Sequence, residues 1–171
     1  MKKSKNYVGI DISKLSFDVA ICNFESKYKY FKFANNEGGF VSFLKHLDTS
    51  ESICVMEASG PYYLKLATFL SEREIAVCVV NPLIIRRFSQ MRMSRTKTDK
   101  KDAMLIAEYG KTEKPTLWQP EEDYVLELKQ MQAYLEQLNK NRTGFIVQKE
   151  AFIQNPIKSE TIEKSITTVL E

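Results

Sequence analysis

Four carboxylates occupy positions where an acidic side chain needs a partner. Asp11 and Glu57 each follow an apolar, β-branched run that is typical of a buried strand. A charged side chain at the end of such a strand costs several kcal/mol unless it is paired or bound to a metal. Asp99 and Asp102 stand three residues apart, a spacing that places both on one face of a helix.

This set of oxygen ligands predicts a site for a hard divalent cation. Carboxylates without histidine favour Mg²⁺ or Mn²⁺. Two such ions about 4 Å apart would stabilise the attacking and leaving oxygens of a phosphodiester. If the strands that carry Asp11 and Glu57 are neighbours, their two like charges also need a cation between them.

Each of these acids has a plainer interpretation. Asp99 and Asp102 could be the N-cap and the third residue of a helix. Asp11 could form a turn with Ser13, and Glu57 could pair with a lysine. The four acids are less easily explained together than singly, because the predicted fold brings them to one place.

A basic segment precedes Asp99 and continues into the two residues between Asp99 and Asp102. The chain has a net charge of +3, but residues 86–101 hold seven basic residues and one acidic residue, a local charge of +6. A basic segment on an otherwise mildly acidic body is typical of a phosphate-binding surface. The predicted nucleic-acid contacts are Arg86, Arg87, Arg92, Arg95, Lys97, Lys100 and Lys101.

The first third of the chain predicts an antiparallel meander of three strands. Residues 7–12, 16–24 and 27–34 are apolar or alternating, with tight connections between them. Asp18, inside the second of these strands, is predicted to face solvent. A helix with apolar positions at helical spacing follows near Phe40.

The remainder of this part alternates strands with helices. Residues 52–58 and 75–80 are predicted strands, and helices are predicted over 61–72, 82–91 and 99–109. The order β-β-β-α-β-α-β-α is that of a ribonuclease H-like α/β fold with a mixed sheet, in which the first and fourth strands lie side by side. Asp11 and Glu57 would then face each other.

The last fifty residues predict a separate helical region. The domain boundaries are placed at 1–112 for the α/β domain, 113–120 for a proline-containing linker and 121–171 for a coiled-coil region. Residues 124–152 repeat apolar side chains at alternating spacings of four and three, which is the seam of a coiled coil. A second helix after Asn155 and Pro156 is too short to cover this seam, so a homodimer through the seam is predicted.

The three cysteines, Cys22, Cys54 and Cys78, are far apart in apolar runs, and the chain has one histidine. This spacing argues against a zinc site, and we expect the three thiols to be reduced and buried. The N-terminal apolar stretch is too short for a signal sequence, and no run reaches the length of a membrane span. We expect a cytoplasmic, nucleoid-associated protein without a membrane partner.

Four motifs in order, at residues 9–21, 55–70, 79–90 and 94–110, resemble the N-terminal domain of the DEDD insertion-sequence transposases. This is the group related to the Piv invertase and described as bridge-RNA-guided recombinases. The resemblance implies a RuvC-like, Mg²⁺-dependent domain whose four acids fall on Asp11, Glu57, Asp99 and Asp102. It also implies DNA and a structured guide RNA as partners.

Members of this family resemble one another further in a C-terminal domain with a nucleophilic serine. The sequence ends at Glu171, within the predicted coiled coil, and offers no candidate for that serine. Two other functions stay open at this point. Residues 9–12 also resemble the first phosphate loop of sugar kinases and actin-like ATPases, although no second glycine-rich loop follows. The chain could also be a non-catalytic module for nucleic-acid binding or dimerisation.

Overall fold

The computed structural model of the chain describes residues 6–22, 27–92 and 98–170. The strands are β1 (Asn6–Ile12), β2 (Ser16–Cys22), β3 (Tyr28–Ala34), β4 (Ser52–Glu57) and β5 (Ala76–Val80). The helices are α1 (Glu37–Leu44), α2 (Leu64–Ser71), α3 (Pro82–Met91), α4 (Asp99–Glu113), α5 (Asp123–Ile153) and α6 (Glu160–Leu170). The order of elements agrees with the predicted α/β plan.

Two predicted helices differ in their bounds. The helix predicted over 61–72 begins as a 3₁₀ turn, Gly60–Tyr63, and becomes α-helical at Leu64. Helix α4 continues past residue 109 and ends where Lys114 adopts a left-handed conformation with φ 48°. Residues 23 and 24, which the second predicted strand includes, lie outside the described residues.

The five strands form one mixed sheet in the order β3-β2-β1-β4-β5. β1, β2 and β3 pair antiparallel, whereas β4 pairs parallel with both β1 and β5. The first and fourth strands are therefore neighbours, and the predicted ribonuclease H-like fold is confirmed. Parallel pairing places the carboxyl ends of β1 and β4, with Asp11 and Glu57, at the same edge of the sheet.

The two faces of the sheet pack against different helices. Because successive side chains in a strand point to opposite faces, Val8 and Ile10 lie in the larger core cluster with residues of α1 and α2. Val55 on β4 lies in the second cluster, on the face covered by α3 and α4. Gly9 and Asp11 share that second face.

Helix α4 crosses β1 in backbone contact. A Cβ atom placed on Gly9 would lie 2.0 Å from the Ala103 carbonyl oxygen and 2.3 Å from the Ala107 nitrogen. Only glycine permits this approach, since any side chain would overlap the helix backbone. The contact places the first turn of α4 close to the carboxyl end of β1.

The segment after α4 lies along the edge of the sheet. The Trp118 backbone nitrogen donates a 2.7 Å hydrogen bond to the Val77 carbonyl, and the Cys78 thiol donates to the Pro115 carbonyl at 3.3 Å. The Trp118 ring packs against the larger core cluster. The sequence predicted a linker here, and the structure shows that this part of it is bound to β5.

The chain divides into two compact units, Met1–Pro120 and Glu121–Glu171. In the second unit, the long helix predicted over 124–152 is observed as α5, and α6 packs back against it. Ile166 of α6 is buried. The hairpin leaves apolar side chains exposed on the N-terminal half of α5.

All three cysteines lie in the described part of the chain. Cys22, Cys54 and Cys78 are buried and none of them forms a disulfide, as expected. Across residues 6–22, 27–92 and 98–170, no helix combines the length and apolar character that crossing a bilayer requires.

Candidate active site

Asp11 is the centre of the acidic site. It lies near the end of β1, half-buried, on the face that α4 covers. The pKa of its carboxyl is raised from 3.8 to about 6, first because burial disfavours the charged form and then because four other carboxylates repel it. Those four, in decreasing order of effect, are Asp102, Glu57, Asp99 and Asp18. The structure thus brings all four predicted site acids into one electrostatic cluster.

Glu57 reaches the cluster from the neighbouring strand. Ile10 of β1 lies opposite Met56 of β4, so the next residue on each strand is an acid. The Ser59 hydroxyl donates a hydrogen bond to the Glu57 carboxylate. This contact orients Glu57, and the turn that supplies it contains Gly60 in the left-handed region at φ 65°.

Asp99 and Asp102 belong to the first turn of α4. The N-cap of this helix is Thr98, whose side chain accepts from the Lys101 backbone nitrogen at 3.3 Å. The interpretation of Asp99 as the helix cap is therefore wrong. Asp102 is half-buried and Asp99 is exposed, and both are acidic residues at a helix N-terminus, where the helix dipole favours negative charge.

The prediction that Asp18 faces solvent is also wrong. Asp18 is only 4% exposed. Asp18 lies opposite Asp11 in the β1–β2 register and opposite Lys32 in the β2–β3 register. Its carboxylate accepts from the Tyr30 hydroxyl and pairs with the Lys32 ammonium at 3.2 Å. The second face of β2 is covered because α4 packs on it, which the local pattern of β2 does not reveal.

The donor set fits a hard divalent cation, because every candidate ligand atom is a carboxylate oxygen. Within the described residues, however, no three Asp, Glu, His or Cys side chains are grouped closely enough to hold one ion in the present conformers. The Asp99 carboxylate instead lies 3.7 Å from the Lys32 ammonium. The carboxylates therefore share an electrostatic environment without already forming a closed metal site.

The sequence of the chain is similar to those of known proteins. Residues 8–155 match the transposase family DEDD_Tnp_IS110. The chain belongs to this transposase family. The pilin gene-inverting proteins of Moraxella lacunata and Moraxella bovis are each 39% identical to it over 149 residues, which cover 82% of this chain. The same alignment covers 46% of each relative, so the chain spans about half the length of these proteins.

The predicted nucleic-acid contacts have different surroundings. Arg86 and Arg87 on α3 are exposed, as are Lys100 and Lys101 on α4. The Arg92 guanidinium pairs with Glu108 at 3.0 Å and lies 5.3 Å from the centre of the Phe88 ring. Arg92 thus joins the end of α3 to α4. The remaining two predicted contacts, Arg95 and Lys97, lie outside the described residues.

Sequence reasoning missed three side chains that contact the acids: Ser59, Tyr30 and Lys32. The Lys32 contact had a sequence signal, since an antiparallel β2–β3 pair places Lys32 opposite Asp18 once the register is known. Ser59 had none beyond its proximity in sequence to Glu57.

Proposed function

We propose that the α/β unit is a RuvC-like, metal-dependent catalytic domain of a transposase that acts on DNA phosphodiesters. The observation that carries this proposal is the backbone contact of α4 with Gly9, which brings the acidic first turn of α4 to the face and edge of the sheet where Asp11 and Glu57 lie. Family membership supports the reaction class. The raised pKa of Asp11 supports the clustering of the acids.

In this proposal, Asp11, Glu57, Asp99 and Asp102 hold Mg²⁺ or Mn²⁺, with two ions in the complete site. Such ions supply Lewis-acid stabilisation of the negative charge that develops during phosphoryl transfer. The protein's own contributions are distinct. Ser59 orients the Glu57 carboxylate, and Asp11 would offer its carboxylate oxygens from the neighbouring strand.

Exposed Arg86, Arg87, Lys100 and Lys101 are proposed to bind phosphates of the DNA backbone. The structured guide RNA implied by the family resemblance belongs to the same proposal, since its phosphates offer the same contacts. Arg92 is proposed to act mainly through α3 and α4, because its guanidinium already pairs with Glu108. A competition experiment between duplex DNA and structured RNA would show which of the two binds this surface.

The exposed half of α5 is proposed as a homodimer seam. Leu128, Met131 and Leu135 are each more than half exposed, and Leu138 is 43% exposed. Large apolar side chains in a stripe on one helix favour a partner helix. Because α6 packs back on α5 within the same chain, the N-terminal part of α5 is the part proposed to meet a second copy.

Cation-dependent DNA binding tests the catalytic proposal. We expect Ca²⁺ to increase affinity for duplex DNA, because a cation on the carboxylates can also contact a phosphate oxygen. Asp11→Asn and Glu57→Gln should lose this increase and keep the cation-independent binding. Glu127→Gln, an exposed acid on α5, is the matched control. If the increase is absent in the wild type or survives both substitutions, the non-catalytic nucleic-acid-binding alternative is favoured.

A further inference from the structure

A lysine from the edge strand reaches into the acidic site. Lys32 lies on β3 and faces α4. Its ammonium is 3.2 Å from one Asp18 oxygen and 3.7 Å from one Asp99 oxygen. The two carboxylates differ in exposure, because the Asp18 side chain is 6% exposed and the Asp99 side chain is 67% exposed. Lys32 therefore has one buried anchor and one exposed partner.

Both carboxylate oxygens of the buried Asp18 have partners. One Asp18 oxygen accepts from the Tyr30 hydroxyl and the other pairs with Lys32. The hydrogen bond to Asp18 raises the pKa of Tyr30 to about 12 and also raises the pKa of Lys32. Both shifts mean that Asp18 stabilises the protonated forms of its neighbours. Asp18 is thus better suited to holding Lys32 than to binding a metal ion.

The exposed partner is weakly held. An ion pair at 3.7 Å with an exposed carboxylate is screened by solvent and contributes little stability. A divalent cation has twice the charge of the ammonium and prefers carboxylate oxygens. Asp99 can therefore leave Lys32 for such a cation, whereas the ion pair of Lys32 with the buried Asp18 carboxylate is retained.

We infer that Lys32 is a built-in counter-ion of the acidic site, which pairs with Asp99 in the cation-free protein and is displaced from it by the divalent cation. This inference rests on the proposed metal-dependent function. Lys32 is a positioning residue in this role, since it acts through Asp99. Its removal should make cation binding tighter, whereas the loss of a merely structural contact would weaken binding or leave it unchanged.

The test is the Mn²⁺ affinity of the full chain, measured by calorimetry and by electron paramagnetic resonance of free Mn²⁺. Lys32→Met should bind Mn²⁺ roughly fivefold tighter at low salt, because the cation no longer competes with a solvent-screened ion pair. Lys32→Gln should behave alike and guards against a folding defect in the first variant. Lys29→Met is the matched control, because Lys29 is an exposed lysine on the same strand that lies opposite Ile21.

A double-mutant cycle isolates the contact. In an Asp99→Asn background, Lys32→Met should no longer increase Mn²⁺ affinity, because the competing ion pair is already absent. Equal tightening by Lys29→Met, or persistence of the effect in Asp99→Asn, would show a general charge effect and overturn the inference.

Failure of the inference and failure of the proposed function are distinguishable. If Asp11→Asn weakens Mn²⁺ binding but neither Lys32 variant tightens it, only the counter-ion role is refuted. If the wild type does not bind Mn²⁺, or Asp11→Asn leaves its affinity unchanged, the proposed metal site is refuted and the role of Lys32 with it.

Discussion

Replacing Asp11 by Asn should stabilise the cation-free protein at neutral and alkaline pH. The carboxyl of Asp11 has a pKa of about 6 in the folded protein, against an ordinary value of 3.8. As the pH rises between these values, the unfolded chain releases this proton before the folded protein does. The folded state therefore loses stability across this range, and the loss is complete above about pH 7. A protein with the uncharged Asn at this position does not lose this stability as the pH rises.

The magnitude follows from the difference in pKa. A shift from 3.8 to about 6 corresponds to about 3 kcal/mol, at 1.36 kcal/mol for each unit. Asp11 is only half-buried, so solvent screening reduces this figure, and we expect about 1.5 kcal/mol. The stabilising effect should be near zero at pH 4 and should reach its full value at pH 8.

Urea unfolding in the presence of EDTA measures this difference. The chain has one tryptophan, Trp118, and its ring packs against the core of the sheet, so its fluorescence reports on the α/β unit. Asp48→Asn, at an exposed acid in the loop before β4, is the control variant. The electrostatic reasoning is refuted if Asp11→Asn is no more stable than the wild type at pH 8.

Three further predictions concern the fold, the nucleic-acid surface and the seam. Gly9→Ala should destabilise the α/β unit by about 3 kcal/mol or prevent its folding. Gly144→Ala, at an open position on α5, should instead stabilise its helix by about 1 kcal/mol. Circular dichroism and urea unfolding compare the two variants. Charge reversal of both Arg86 and Arg87 should weaken duplex DNA binding. It should also lower the slope of log affinity against log salt by about 0.9 for each phosphate that is no longer neutralised. An unchanged slope would exclude these arginines from the interface. Leu135→Asp should shift a dimer to a monomer in sedimentation velocity, and a wild type that is monomeric at tens of micromolar would contradict the proposed seam.

Much of the acidic site follows from local pattern. Asp11 and Glu57 stand at the ends of short, β-branched apolar runs, which favour buried strands. The spacing of Asp99 and Asp102 fixes their relation on one helix. The order of strands and helices matches the ribonuclease H-like plan, in which the first and fourth strands are neighbours, and the strand-helix-strand unit predicts the parallel pairing of β4 with β5. These features depend on short-range periodicity and connectivity, which a single sequence contains.

The surroundings of these acids depend on contacts between distant segments. Whether Asp18 is exposed is decided by α4, which begins at Asp99 and covers the second face of β2. Arg92 lies within a basic run, yet its pairing with Glu108 depends on how α3 meets α4. Lys32 enters the site only through the β2–β3 register. The sequence alone therefore identified which acids could bind a cation, whereas tertiary packing decided which charges accompany them, because burial and ion pairing are set by neighbours in space.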